Sequence, residues 1–170
     1  MVTALPEPAD DFDRKLLADI ARVGWAVLGI PEDDEGPGYA FSIGLYRTFA
    51  HPEVILIGLP WEVSHRFTNA IGAAVRTGER YEAGREYDHL AEGYPSAFVA
   101  VDRSHYKQYL GTAGWFYRGW DFPVIQMVYP DRDGAYPWDA GSTPGYWRRQ
   151  PILDERVEPG TTADEGIEAF

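Results

Sequence analysis

The chain has 170 residues, one domain's worth, and its 6 Trp, 11 Tyr and 8 Phe can build a core despite a net charge of −12. The absence of cysteine excludes disulfides, thiol catalysis, thiolate zinc sites and iron–sulfur clusters. The acidity is local to residues 1–13, Glu32-Asp-Asp-Glu35 and residues 154–170, and the remainder is close to neutral, without the clustered cations that nucleic acid requires.

Asp10 or Asp11 caps a predicted helix over residues 10–23, with Phe12, Leu16, Leu17, Ile20 and Val23 at helical spacing and Gly24 as its stop. Trp25 to Ile30 reads as a buried strand, and Pro31 to Gly38 as an acidic turn. Tyr39 to Leu45 alternates: Tyr39, Phe41, Ile43 and Leu45 share one face, Ala40, Ser42 and Gly44 the other. Val54 to Leu59 is the next strand, paired with the last as a hairpin with a longer loop. A helix opens at Pro60-Trp-Glu62, with an apolar stripe of Val63, Phe67, Ala70, Ile71, Ala74 and Val75, and ends at Gly78. Residues 79–95 carry no clear pattern. Ala97 to Asp102 is a strand, Ser104 to Leu110 a short helix, Phe122 to Tyr129 a strand and Pro130 to Gly134 a turn; Pro137 to Arg149 is irregular. The expected architecture is a single α+β domain over residues 1–153, with a predominantly antiparallel sheet, barrel-like in one version, and two main helices. Residues 154–170 are expected to be a mobile acidic tail that aids solubility.

Four groups of residues carry candidate chemistry. On the strand face of Ala40, Ser42 and Gly44 there is almost no side-chain volume, so a backbone or a ligand packs closely there. Arg47, His51 and Glu53 follow within one loop's reach: Arg47 suits an anion, His51 a proton transfer near neutral pH, and Glu53 the orientation of His51. Gln126 is polar among apolar strand neighbours, and its amide either reads a ligand's edge or satisfies a loop backbone. Asp131, Asp133 and Gly134 start like a calcium loop but lack its spacing and closing Glu, so the pattern is a turn and no metal is expected. The segment from Tyr106 to Trp147, with Trp138 in its middle, is dense in aromatics that would stack on a planar ligand, anchor a partner or cover the core. His65, His89 beside Asp88, and His105 carry little signal. No phosphate-binding glycine loop and no nucleophile elbow occur.

The run from Gly24-Trp25 through Phe41-Ser-Ile-Gly-Leu-Tyr-Arg-Thr and His51-Pro-Glu to Gly58-Leu-Pro60 and Gly78 resembles the bacterial domain of unknown function 4262 family. Gln126-x-Val128-x-Pro130-Asp131, Gly134, Tyr136-Pro-Trp138 and Gln150-Pro-x-Leu153 continue the resemblance, which covers most of residues 24–153. It implies a compact bacterial domain without an established activity. It marks Ser42, Gly44, Arg47, His51, Glu53, Gln126, Asp131, Pro137 and Trp138 as motif positions and assigns them no roles.

Two functions are consistent with these residues. One is a small-molecule or cofactor-binding domain, in one version an enzyme, with His51 and Glu53 catalytic and Ser42, Gly44, Arg47, Gln126, Asp131 and Trp138 binding the ligand. In a split-barrel version the cofactor is a flavin, its phosphate on Arg47 and its ring under a C-terminal Trp; that is analogy at the level of fold. The other is a protein-interaction module, of immunity or regulatory type, using the aromatic segment 115–147. The N-terminus lacks the basic start and apolar stretch of a signal peptide, and no apolar run approaches the ~20 residues of a membrane span. A cytoplasmic protein without a nucleic-acid or membrane partner is expected, with a protein partner or a homo-oligomer both left open.

Overall fold

The computed structural model describes residues 4–160. In chain order the elements are α1 (Asp11–Val23), β1 (Ala26–Ile30), β2 (Tyr39–Ile43), α2 (Leu45–Phe49), β3 (Glu53–Ile57), α3 (Trp61–Arg76), β4 (Glu86–Ala91), β5 (Tyr94–Ala100), α4 (Tyr106–Tyr109), α5 (Gly111–Tyr117), β6 (Val124–Val128) and α6 (Tyr146–Arg149), with a 3-10 turn at Arg103–His105. The six strands form one sheet in the order β1-β2-β3-β6-β5-β4. β3 and β6 run parallel, and every other neighbouring pair is antiparallel.

The fold is the expected α+β domain, but the sheet is open: β1 and β4 stand at opposite edges and do not meet. Helices on both faces explain why it does not close into a barrel. Along β3 and β6 every residue is buried, the pattern of strands covered on both sides. On one face Phe41, Ile43, Ile55, Ile57 and Val124 pack against Leu16 and Ile20 of α1 and Leu110, Ala113 and Phe116 around α5. On the other, Val54, Leu56, Phe98, Ile125 and Met127 pack against Ile71 and Val75 of α3. The two long helices are α1 and α3, and among the described residues no helix is long and apolar enough to cross a membrane.

Local chemistry sets the boundaries of α1. The Asp10 side chain accepts the Asp13 N–H at 2.8 Å, and Gly24, left-handed at φ 104°, returns its N–H to the Ile20 carbonyl. The small-residue face of β2 is covered by α3. That close approach rotates the helix away from the stripe expected for it. Its buried residues are Ser64, Thr68, Ile71, Gly72 and Val75, whereas Ala70 is exposed. Small helix residues are selected there because the opposing strand offers Ala40 and Ser42.

Further expectations are corrected by contacts remote in sequence. Leu45 is not strand; it begins α2, because Gly44 turns the chain at φ 114°. Residues 79–95 contain β4 and the start of β5, a hairpin turning at Glu92-Gly93. α5 follows α4 where only one short helix was expected. Of the expected mobile tail, residues 154–160 are held to the body: Glu155 N–H donates to Asp102 Oδ2, Val157 packs against the cluster of Ala97, Val128, Tyr136 and Ile152, and Gly160 N–H donates to the Pro137 carbonyl. Residues 161–170 lie outside the described residues.

Candidate functional site

The expected Arg47, His51 and Glu53 constellation sits at the N-terminal end of β3. Glu53 is fully buried, and its carboxylate is a hub. Oε2 accepts the Ser42 hydroxyl at 2.8 Å; Oε1 accepts the Gly44 N–H at 2.8 Å, the Tyr46 N–H at 3.0 Å and the Tyr117 hydroxyl at 2.8 Å. The two N–H groups belong to the first turn of α2, so Glu53 caps that helix from a distant strand. Ser42 in turn accepts the Val54 N–H at 3.0 Å. Burial pushes the Glu53 carboxyl up to about 7, against the Tyr46, Ser42, Tyr117 and Gly44 hydrogen bonds, which favour its charged form. Burial and the Glu53 charge also push the Tyr117 phenol far up.

His51 is not oriented by Glu53. Its Nε2 accepts the Tyr81 N–H at 3.0 Å, so Nδ1 carries the proton and donates to the Pro52 carbonyl at 2.8 Å. Burial depresses its pKa, and the imidazole is neutral. It ties the segment after α3 to the turn before β3, a tie strengthened by Arg80 Nη2 donating to the Phe49 carbonyl at 2.9 Å.

The remaining motif positions are spread through the fold. Gln126 is buried and serves a loop backbone with both ends of its amide: Nε2 donates to Pro151 O at 2.8 Å and Oε1 accepts the Leu153 N–H at 2.9 Å. Asp131 closes its turn, with Oδ1 accepting the Asp133 and Ala135 N–H groups and Oδ2 the Thr143 N–H and hydroxyl. Burial opposes its ionisation, but these four bonds outweigh burial and hold its pKa below the usual value. Trp138 stacks on Tyr136 at 4.9 Å between ring centroids. Among the described residues no group of His, Asp and Glu could hold a metal ion. Among the described residues the exposed large apolar side chains are Leu5, Phe12, Tyr46, Trp61 and Tyr94, none of them in segment 115–147. The aromatics of that segment line the core, as Phe116 and Phe122 do, or lie half-buried over it.

The four principal clefts among the described residues are lined by none of Ser42, Gly44, Arg47, His51, Glu53, Gln126 and Trp138. Two of these clefts meet at the opposite, C-terminal end of β3. The first, about 640 Å³, lies between the β1–β2 loop and the turn from β3 into α3, with Pro31, Tyr39, Leu59, Trp61, Ser64 and Arg149 in its walls. The second, about 490 Å³, shares Gly58, Leu59 and Arg149 with it and extends to Asp131 and Thr143. The crevice has a topological cause. β3 and β6 are adjacent and parallel, yet after β3 the chain enters α3 on one face, while after β6 it returns through Ile152 and Leu153 to the other. Diverging connections leave a gap at the strand ends, the usual place for a ligand in open sheets with parallel strands.

Gly58 makes the junction tight. Its φ is +91°, and a Cβ there would stand 2.3 Å from the Arg149 carbonyl oxygen and 2.7 Å from Tyr129 Oη. The Gln150 amide fixes the other wall: Oε1 accepts the Tyr129 N–H at 3.1 Å and Nε2 donates to the Tyr129 carbonyl at 2.9 Å, as a neighbouring strand would. Trp61 rests on Gly29, where a Cβ would come within 2.3 Å of the indole, and it remains 46% exposed. Of the expected residues only Asp131 reaches this crevice; Trp61, Ser64, Leu59 and Arg149 were not singled out. The signal available in sequence was Gly58-Leu-Pro60 between a strand and a helix, which has meaning as a site only once β3 and β6 are known to be parallel.

A family model described as Domain of unknown function (DUF4262) matches residues 19–143. Nothing matches among the curated proteins or the solved structures.

Proposed function

The chain belongs to the DUF4262 family, and we propose that it is a small-molecule-binding domain whose ligand lies in the cleft at the C-terminal end of β3. The observation that carries this reading is the cleft of about 640 Å³ at the C-terminal end of β3, between the β1–β2 loop and the turn into α3, within the volume range of ligand sites. Its walls combine an apolar surface from Pro31, Tyr39, Leu59 and Trp61 with a few polar groups, Ser64 and Arg149 among them. That mixture suits a ligand with an apolar body and one oriented polar end. An exposed Trp held flat on a glycine offers a rigid stacking platform at small entropic cost.

Glu53 and His51 support this site at a distance. They order α2 and the turns flanking it, and so hold β3 in register beneath the cleft. A cytoplasmic location without nucleic-acid or membrane partners belongs to the same proposal, supported by the cysteine-free composition and the near-neutral body between acidic ends.

A native mass spectrum of the full chain, purified without denaturation, tests the reading. The expected result is a bound mass that is released on denaturation and reduced in Trp61→Ala. An apo spectrum, together with no thermal shift across a library of small metabolites and flavins, would overturn it. A stoichiometric protein partner in place of a small ligand would favour an interaction module instead.

A further inference from the structure

The cleft contains the first turn of α3, and that turn is left without side-chain caps. Pro60 occupies the N-cap and offers no side-chain hydrogen bond. Its carbonyl takes the Val63 and Ser64 N–H groups at 3.1 and 3.0 Å, so the N–H groups of Trp61 and Glu62 have no acceptor among the described residues. A 16-residue helix concentrates partial positive charge there.

Ser64 provides an independent observation. It lies one turn into α3 and lines the same cleft, and its hydroxyl is buried with no hydrogen-bond partner among the described residues. A buried hydroxyl without a partner is costly. Arg149 lines the cleft from α6. It has no carboxylate partner among the described residues and lies 5.6 Å over the Tyr146 ring. The glycine at position 58 lets the backbone at Arg149 lie against the turn into α3.

We propose that the ligand's polar end is a carboxylate, seated at the N-terminus of α3 by the Ser64 hydroxyl, the Trp61 N–H and Arg149, with an aromatic or alicyclic body on Trp61. This rests on the cleft being the ligand site. Charge selects the carboxylate. The positive groups are one guanidinium and one helix terminus, with the carboxylates of Glu32 in the cleft wall and Glu62 in the first turn of α3 nearby. So small a positive set holds a monoanion at less electrostatic cost than a dianionic phosphate group.

Isothermal titration of the full chain with three probes of one shape tests the inference: 2-naphthoate, 2-naphthyl phosphate and the neutral 2-naphthamide. Naphthoate is expected to bind at least about tenfold more tightly than the amide, as charge-assisted hydrogen bonds do, and more tightly than the phosphate. Ser64→Ala and Arg149→Met are each expected to erase most of that preference, lowering the acid's affinity more than the amide's. Ser64→Ala is also expected to leave the melting temperature level or raised, since it removes an unpartnered group. Equal binding of acid and amide would overturn the carboxylate and leave the cleft reading standing, as would tighter binding of the phosphate. A marked fall in melting temperature for Ser64→Ala would make the hydroxyl structural and overturn its assigned role. Failure of all three probes to bind overturns this proposal, and the native mass spectrum then decides separately whether the cleft reading falls with it.

Discussion

Tyr117 donates its phenolic hydrogen to Glu53 Oε1 at 2.8 Å, joining the last residue of α5 to the first residue of β3. The same oxygen accepts two N–H groups from the start of α2. One buried carboxylate thus connects the layer of α5, the central strand and the turn that begins α2. Its removal should be felt in all three.

Glu53→Ala leaves the Ser42 and Tyr117 hydroxyls and the Gly44 and Tyr46 N–H groups without their common acceptor. The expected loss is about 3–5 kcal/mol, as for other broken buried charge networks, measured by urea denaturation. Tyr117→Phe removes one donor and should cost about 1–2 kcal/mol. A loss below about 1 kcal/mol in Glu53→Ala would show that the hub is dispensable.

The pH dependence of stability follows from the same residue. The Glu53 carboxyl moves from 4.5 up to about 7 in the folded protein. The folded state therefore binds more protons than the unfolded state between those values. The contribution to stability is fully present below 4.5 and is lost as pH rises through about 7. Between about pH 5 and about pH 8 the decline is on the order of 2–3 kcal/mol. Glu53→Gln mimics the protonated form and should abolish this decline, as a series of urea midpoints across pH would reveal.

His51 acts with the opposite sign. Its folded pKa lies below the ordinary imidazole value of 6.5, mainly through burial. Its contribution is present above 6.5 and is lost as pH falls through the depressed folded value. Below 6.5 the two residues partly cancel in the native protein. In Glu53→Gln the His51 contribution stands uncovered, so stability should rise with pH up to about 6.5 and then level off. A flat profile in that variant would mean that the His51 pKa is the same in the folded and unfolded states.

Gly58→Ala should be among the most damaging single methyl additions in the chain. The residue is left-handed, and the added carbon meets the Arg149 carbonyl and the Tyr129 hydroxyl. Backbone strain and overpacking together predict a loss of about 3 kcal/mol, or roughly 10 °C in melting temperature for a domain of this size. Calorimetry would settle it, and ligand binding in the adjoining cleft should weaken as well.

Gln126→Leu keeps the volume of the buried strand residue but orphans the Pro151 carbonyl and the Leu153 N–H. A loss of about 2–4 kcal/mol is expected, together with faster proteolytic cleavage near residues 150–157. Destabilisation without any change in the cleavage pattern would argue that the C-terminal segment is held by other contacts.

Much of the local structure is readable from the residues alone. The limits of α1 follow from Asp10 and Gly24, whose capping chemistry acts within one turn of chain. The extended segments of β1, β2, β3 and β6 follow from alternation or from continuous apolar runs. The polarity of Gln126 signals a buried amide in need of partners, and Asp131 a closed turn. The candidate site was less legible. His51 and Glu53 stand two residues apart, yet one bonds to Tyr81 and the other to Ser42, Gly44, Tyr46 and Tyr117. Sequence proximity is not spatial orientation, because Glu53 is the first residue of β3 whereas His51 lies in the turn before it, where the strand's alternation does not hold.

By itself, then, the sequence determined where short-range periodicity and capping place the elements, that the domain is α+β, and which family it belongs to. Tertiary structure alone decided the rest. The parallel pairing of β3 with β6 joins residues about 70 positions apart, and no local pattern encodes such a pairing. The chain's return after β6 brings the Arg149 backbone to Gly58, where the two clefts at the C-terminal end of β3 meet. The sheet stays open for the same reason: helices arriving from distant parts of the chain bury both of its faces, and the order in which they return is a property of the folded chain as a whole.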